Sequence, residues 1–286
     1  KMYRKHSFFR ALWRHVTLLL FVVFALFPIL WVISASFNPA NTLVGQSLVP
    51  RSISLDNYRQ VFTSEQYPIA LWIKNSILIG LVTSALVVVM TSLAAYAFSR
   101  FRFRGRREGL FASLMVQVFP QMLAAVSIYL LVLSVGKIMP ALGINTHAGL
   151  IMVYLGGAMG VNAWLMKGYF DTIPTSLEES AMIDGASPFQ AYYMIILPLA
   201  RPILAVIFLL QFIGTYSEFI LASVLISSSE KYTLAVGLQL FIHDQYASRW
   251  GVFAAASVLG ALPIVLLFMF LQKYLVSGLT SGAVKG

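Results

Sequence analysis

Six long apolar runs, separated by polar breaks, set the pattern of this chain. Residues 16–37 carry no charge over 22 positions. At about 1.5 Å per helical residue, that is enough to cross a hydrocarbon core of about 30 Å. Comparable runs recur at about 75–99, 109–135, 148–166, 202–226 and 250–272, so the pattern predicts six transmembrane helices. Pro28, Pro120, Pro202 and Pro263 mark kinks or first turns in them, which a membrane tolerates where neighbours or a cavity satisfy the freed carbonyls. A signal peptide is the competing reading of the first run, because Ala35 and its small neighbours resemble a cleavage site. The run exceeds the roughly 7–15 residues of a signal h-region, which favours a retained helix.

The breaks differ in character. Residues 38–74 form a polar loop with Pro39, Pro50 and Pro68, and residues 100–107 hold five arginines. Lys137, Pro140 and Asn145-Thr146-His147 mark a short break before the fourth run. Two long breaks follow, at 171–200 and 227–249, and a small, Gly-rich tail begins at 273. No fixed-period repeat or low-complexity linker divides the chain, so 1–286 is read as a single domain.

Six spans put both termini on one side of the bilayer. The amino-terminal flank, the arginine break, the region of 167–201 and the tail hold 14 of the 20 Lys and Arg, against 6 on the opposite loops. Basic residues favour the cytoplasmic side, which predicts cytoplasmic termini and a cytoplasmic 171–200 break, with 38–74 and 227–249 facing outward. This placement also accounts for the net charge of +10 without a nucleic-acid partner. At 59% hydrophobic and 10% charged, with mean hydropathy +0.82, the chain classes as a polytopic membrane protein, its solvent being lipid. The absence of cysteine excludes a disulfide framework, a thiolate nucleophile and a cysteine metal site.

Catalytic chemistry is missing. No G-x-x-x-x-G-K-[ST] offers a phosphate cradle, no H-E-x-x-H offers zinc ligands, and no G-x-S-x-G elbow is present. His6, His15, His147 and His243 are scattered along loops and flanks, so no metal site is expected. A membrane-embedded hydrolase needs a base beside its nucleophile, and the runs offer neither His nor Lys at membrane depth. Glu218 alone among ionisable residues lies inside a run. Such a carboxylate is a functional hypothesis by default. Its position 17 residues past Arg201, near the far end of a span, favours a structural role. One such group is not the series a proton relay requires, which counts against a stand-alone secondary transporter. Interhelical hydrogen bonding is expected to account for most of the neutral polar residues Thr83, Ser84, Thr91, Gln117, Gln121, Asn162 and Gln211.

The break at 171–200 carries helix-turn-helix grammar. Thr175 and Glu178 stand in capping-box spacing ahead of the short amphipathic run 177–183, which Asp184-Gly185 ends. Ser187, with Pro188 and Gln190 after it, predicts the cap of a second helix that finishes near Pro198. From Asp171 to Asp184 there are four acids and no base. A helix lying on lipid would show Lys or Arg on its polar face, so the segment reads as a rigid knob for a protein partner.

Glu179-Ser180-Ala181, three residues, Gly185, nine residues and Ile195-Ile196-Leu197-Pro198 resembles the EAA motif of ABC importer permeases, E-A-A-x3-G-x9-I-x-L-P. Ser180 departs from it, small for small. Asn145-Thr-His-Ala-Gly, Tyr154-Leu-Gly-Gly, Lys167-Gly-Tyr-Phe, Tyr232-Thr-Leu-Ala-Val-Gly and the ending Gly278-Leu-Thr-Ser-Gly-Ala-Val-Lys-Gly286 extend the similarity to MalG-type maltose permease subunits along the whole chain. The resemblance implies an all-α, multi-pass ABC importer permease in the bacterial inner membrane, importing maltose or maltodextrin. The alternative is another glycoside such as trehalose. The implied partners are a MalF-type permease, a homodimeric MalK-type ATPase and a periplasmic or lipid-anchored sugar-binding protein. ATP and Mg would be bound by the ATPase, leaving this chain without cofactor or catalytic residue. The implied coupling loop comprises Glu178, Glu179, Ser180, Ala181, Asp184, Gly185, Ile195, Leu197 and Pro198, carrying movement to helices four and five. The tail, Ser281, Gly282, Ala283, Val284, Lys285 and Gly286, would enter between ATPase subunits, and His243, Asp244, Gln245 and Tyr246 would face the binding protein. No sugar ligands are assigned, because in the maltose system the membrane sugar site belongs mainly to the MalF-type partner.

Overall fold

The computed structural model describes residues 2–42, 44–50, 52–118, 121–242 and 249–283, and every regular element among them is helical. Helix α1 (Met2–Ser36) runs unbroken through Pro28. Its segment Leu12–Ser36 is long and apolar enough to cross a membrane, and nothing in the most apolar window is buried. Helix α2 (Asp56–Thr63) lies within the predicted loop. Helix α3 (Ile69–Arg100) begins ahead of the predicted start at 75. Lys74 ended the charge-free run, but its side chain is exposed, and a lysine near a helix end can carry its charge to water.

The third run is two helices, α4 (Arg106–Val118) and α5 (Gln121–Ile138); Pro120 lies outside the described residues. Helix α6 (His147–Phe170) is capped by Thr146, whose hydroxyl accepts from the Gly149 amide at 3.0 Å. The polar break contains α7 (Ser176–Ile183), α8 (Pro188–Ala191), a π turn (Tyr192–Ile196) and α9 (Leu197–Leu199). The fifth run is also interrupted, into α10 (Arg201–Ser217) and α11 (Ile220–Leu225). Helix α12 (Leu234–Gln239) occupies part of the second predicted outer loop, and α13 (Trp250–Ala283) continues past the predicted end at 272 through most of the tail. Four described helices could each cross a membrane alone, and the number rises to as many as six if each of two bent pairs is one span.

The chain forms two compact units, Lys1–Ile69 with Leu238–Ala261, and Ala70–Gly237 with Leu262–Gly286. In the first, amide side chains satisfy the backbone where α1 ends. Asn57 Nδ2 donates to the Ser36 and Asn38 carbonyls at 3.0 and 2.9 Å, groups that a helix terminus leaves without intrahelical partners. Asn41, at φ 53°, accepts from the Val252 amide at 3.2 Å and so ties the loop to the start of α13. Gly251 is required there, since a Cβ would fall 2.5 Å from Asn57 Nδ2.

The second unit holds two apolar cores. One gathers Ile79, Val132, Leu150, Tyr154, Leu221 and Leu225; the other gathers Tyr96, Met166, Phe170, Tyr192, Ile196 and Ile207. Helices α3 and α6 contribute to both, and the polar break packs on the second. Gly160 of α6 backs so closely onto the Ser113 carbonyl of α4 that a Cβ would collide, the small-residue contact by which membrane helices approach. Gln117 Nε2 donates to the Gly157 carbonyl at 3.1 Å, and Asn162 Nδ2 to Gln211 Oε1 at 3.2 Å, the predicted interhelical bonds. Ser84 and Thr91 correct that expectation. Their hydroxyls bond back to the Gly80 and Val87 carbonyls of their own helix at 2.6 Å, a local acceptor always within reach of Ser and Thr.

Candidate functional site

The break between α6 and α10 is built from local rules and then bolted to α3. The predicted Thr175–Glu178 capping box does not form. Thr175 has helical angles (φ −64°, ψ −26°) and its side chain makes no cap bond. The first amides of α7 are met instead by the Pro174 and Thr175 carbonyls, at 3.3 Å to Leu177 and 3.0 Å to Glu178. This leaves the Glu178 carboxylate free to turn inward, where it is buried. Its Oε1 accepts from Arg100 Nε at 2.5 Å and its Oε2 from the Tyr96 hydroxyl at 2.9 Å. Arg100 Nη2 also donates to the Ile173 carbonyl and Nη1 to Ser99 Oγ, each at 3.0 Å.

Gly185 ends α7 in the left-handed region at φ 94°. The Ala186 amide reaches the Ala181 carbonyl at 2.9 Å and the Gly185 amide the Met182 carbonyl at 3.1 Å, the paired bonds of a Schellman turn. The second predicted cap forms as expected: Ser187 Oγ accepts from the Gln190 amide at 3.2 Å, and Gln190 Oε1 from the Ser187 amide at 2.7 Å. The helix then widens to a π turn just before Pro198, whose ring crowds the preceding turn and which has no N–H to offer. A second bolt to α3 lies here, between Tyr192 OH and Ser92 Oγ at 2.7 Å, both buried.

Asp171, at the exit of α6, accepts from Lys167 Nζ at 2.5 Å and from Ser99 Oγ at 2.6 Å. Burial pushes its carboxyl up, but those two bonds and the Lys167 and Arg100 charges outweigh it and hold the group below its ordinary value.

Outward, the break presents Glu179, Ser180, Asp184, Gly185 and Pro198 to solvent, with Ala181, Ile195 and Leu197 partly covered. Large apolar side chains stand among them: Ile183 is 86% exposed, Phe189 63% and Met194 62%. Exposed apolar side chains interspersed with exposed carboxylates, on a support tied to α3, have the make-up that a docking surface needs. The residues that hold it, Ser92, Tyr96, Arg100 and Tyr192, were not singled out from the sequence, where Arg100 counted only as a topology charge. The readable signal was the excess of acids without a base in the break, which required a cation from elsewhere.

At the other core, Glu218 follows the last residue of α10. Its carboxylate accepts from the amides of Leu221 and Ala222 at 2.8 and 3.0 Å, and from the Tyr154 hydroxyl of α6 at 2.6 Å. The structural role expected for it is what the geometry provides. Nearby, a cavity of about 750 Å³ is lined by Ser113, Gln117, Met152, Gly156, Gly157 and Leu221, among others. Its lining is almost wholly apolar, too poor in polar groups to hold a polyhydroxylated ligand by itself. His243, Asp244, Gln245, Tyr246, Val284, Lys285 and Gly286 lie outside the described residues. Ser281, Gly282 and Ala283 form the last residues of α13.

Residues 87–281, from mid-α3 through the break and both glutamates into α13, match the family of binding-protein-dependent transport system inner membrane components. The chain belongs to this family. It is 44% identical to the maltose/maltodextrin transport system permease protein MalG of Vibrio vulnificus over 283 residues, covering 95% of each. It is 42% identical to MalG of Escherichia coli K12 over 283 residues, again covering 95% of each. Among solved structures, a chain of a bacterial ABC transporter that imports the acidic polysaccharide alginate matches with TM-score 0.75 and 28% identity, covering 92% of this permease and 95% of that chain. The permease thus has the ABC importer permease fold, and the break on its α3 bolts is part of the family-matched region.

Proposed function

We propose that this permease is the MalG-type half of an importer for maltose or maltodextrin, driven by ATP hydrolysis on a separate, homodimeric ATPase. A MalF-type permease completes the pathway, and an extracytoplasmic binding protein delivers the sugar. The carrying observation is the break itself: a Schellman turn, a capping box and a buried Glu178–Arg100 pair fix a helix pair whose outer face is apolar and acidic. A docked partner that moves this face moves α3, α6 and α10 with it. The substrate class follows the names of relatives that are 42–44% identical.

In this reading α4 with α5 makes one span and α10 with α11 another, giving six, with both termini and the break in the cytoplasm. ATP and Mg stay on the ATPase. Glu179 and Asp184 meet polar or basic groups there, the carboxy-terminal tail enters between its subunits, and residues 243–246 face the binding protein.

Gly185 and Glu179 supply the test. Nothing lies within 4 Å of a Cβ built on Gly185, so its constraint is the left-handed backbone, worth about 1–2 kcal/mol against an L side chain. In the assembled complex, Gly185→Val and Glu179→Lys are each expected to abolish sugar-stimulated ATP hydrolysis, while Gly185→Asn, which tolerates positive φ, keeps most of it. Unchanged coupling in both disruptive variants would overturn the proposal.

A further inference from the structure

The turn between α3 and α4 holds charge that neither the fold nor the coupling site uses. Arg106, Arg107 and Lys167 line one cavity of about 510 Å³, together with Phe103 and a single carboxylate, Glu108. Lys167 is shared with Asp171, and Arg106 Nη2 donates weakly to the Ser99 carbonyl at 3.3 Å. Arg107 is exposed and has no ion-pair or hydrogen-bond partner among the described residues, and the same holds for Arg102 and Arg104 just before it.

The turn is nonetheless fixed. Gly105 takes φ 81°, the Gly109 amide bonds the Gly105 carbonyl at 2.8 Å, and the Phe103 ring packs on Phe98 at 5.6 Å. Phe101 and Phe103 remain about half exposed, apolar surface beside the basic turn. Below the cavity, α4 carries an exposed apolar stripe of Phe111, Met115 and Val118. At about 1.5 Å per residue it runs some 10 Å along the helix.

We propose that this cavity binds the phosphodiester headgroup of an anionic phospholipid, with the acyl chains lying along the α4 stripe. Arg106 and Arg107, neither of them in an ion pair among the described residues, and Lys167, shared with Asp171, stand against the one lining carboxylate Glu108, and the surplus positive charge selects a negative headgroup over a zwitterionic one. The depth of the site, where two apolar helices meet a basic turn, puts it at the membrane surface. Free phosphate shares the headgroup chemistry but has no use for the stripe. The assignment requires only that α3 and α4 lie in the bilayer and does not depend on the coupling role of the break.

Native mass spectrometry of the purified complex, titrated with phosphatidylglycerol or phosphatidylethanolamine, tests it. The wild type is expected to retain phosphatidylglycerol in preference. Removing two cations in Arg106→Gln/Arg107→Gln should weaken that binding about 25-fold, from about fivefold for each charge. Arg59→Gln, which removes an exposed charge from α2, should leave it unchanged. Equal retention by the double variant, or equal binding of the two lipids, would overturn the proposal. Displacement of the lipid by excess inorganic phosphate would reassign the site to free anions. Loss of the ATPase subunit from the double variant with normal lipid binding would reassign the arginines to a protein interface.

Discussion

Glu178 and Glu218 are both turned into the permease, and both accept a hydrogen bond from a tyrosine of a neighbouring helix, at 2.9 Å from Tyr96 and 2.6 Å from Tyr154. They differ in what satisfies the rest of the charge. Glu178 takes the guanidinium of Arg100, 78 positions away. Glu218 takes the amides of Leu221 and Ala222, three and four residues on. The first is a long-range bolt between the break and α3, and the second is a cap that lets a helix stop and restart at the far core. A buried ion pair adds little stability relative to an apolar pair of the same shape, so the value of the first lies in rigidity. Under the proposed coupling it ties α3 to the docking face, in addition to α6 and α10, the helices that the motif alone implied.

The largest effect is expected from halving the bolt. Arg100 and Glu178 side chains are only 10% and 5% exposed, so Glu178→Ala leaves a nearly buried guanidinium without its counter-charge. Such a loss costs about 3–5 kcal/mol, and Arg100→Ala should cost a similar amount from the other side. Replacing both, as Glu178→Leu/Arg100→Met, should recover most of the thermal stability of the purified complex yet leave ATP hydrolysis poorly coupled to sugar. If the double variant couples normally, the pair is packing and not a transmission element.

Breaking the cap is expected to cost less. Glu218→Ala removes a cap, worth about 0.5–2 kcal/mol, and strands the Tyr154 hydroxyl, which adds about 1–3 kcal/mol where water cannot reach. Glu218→Gln keeps one acceptor oxygen and should fall between Ala and wild type in thermal unfolding. The sharper outcome lies in transport. A variant of normal stability that no longer moves sugar would take Glu218 out of the structural role and put it in the pathway.

The contrast between local and distant satisfaction also explains what the sequence made legible. The Ser187–Gln190 box and the Gly185 turn were readable because all their bonds close within five residues. The long helices α1, α3, α6 and α13 were readable because lipid demands length and little else, whereas the third and fifth runs are each interrupted. Thr175 failed as a cap because its backbone is already helical, Glu178 found its partner in another helix, and no spacing rule connects residue 178 to residue 100. The stop after Ser217 was hidden for a related reason. No proline or glycine stands at Glu218-Phe219, and the interruption depends on a glutamate doing the work of a cap within an apolar run. The cation bonded to Asp171, by contrast, lies one helical turn back in Lys167, the kind of pair that spacing does reveal.

A third carboxylate, Asp171 at the start of the break, gives the smallest expected effect and tests the comparison from its exposed side. Asp171 is 42% exposed and pairs with Lys167 across one turn, an arrangement worth about 0.3–0.5 kcal/mol. Burial raises its pKa, but the Lys167 and Ser99 bonds and the Lys167 and Arg100 charges bring the folded value below the ordinary 3.8. A carboxyl lowered by folding contributes stability that is fully present above its unfolded pKa and disappears as pH falls through the folded one. The stability difference between wild type and Asp171→Asn should therefore be flat from neutral pH down to about 5 and shrink only below 3.8. Thermal unfolding of both complexes across that range reads it directly. A difference that instead grew on acidification would mean that folding raises the carboxyl, with burial outweighing the lysine.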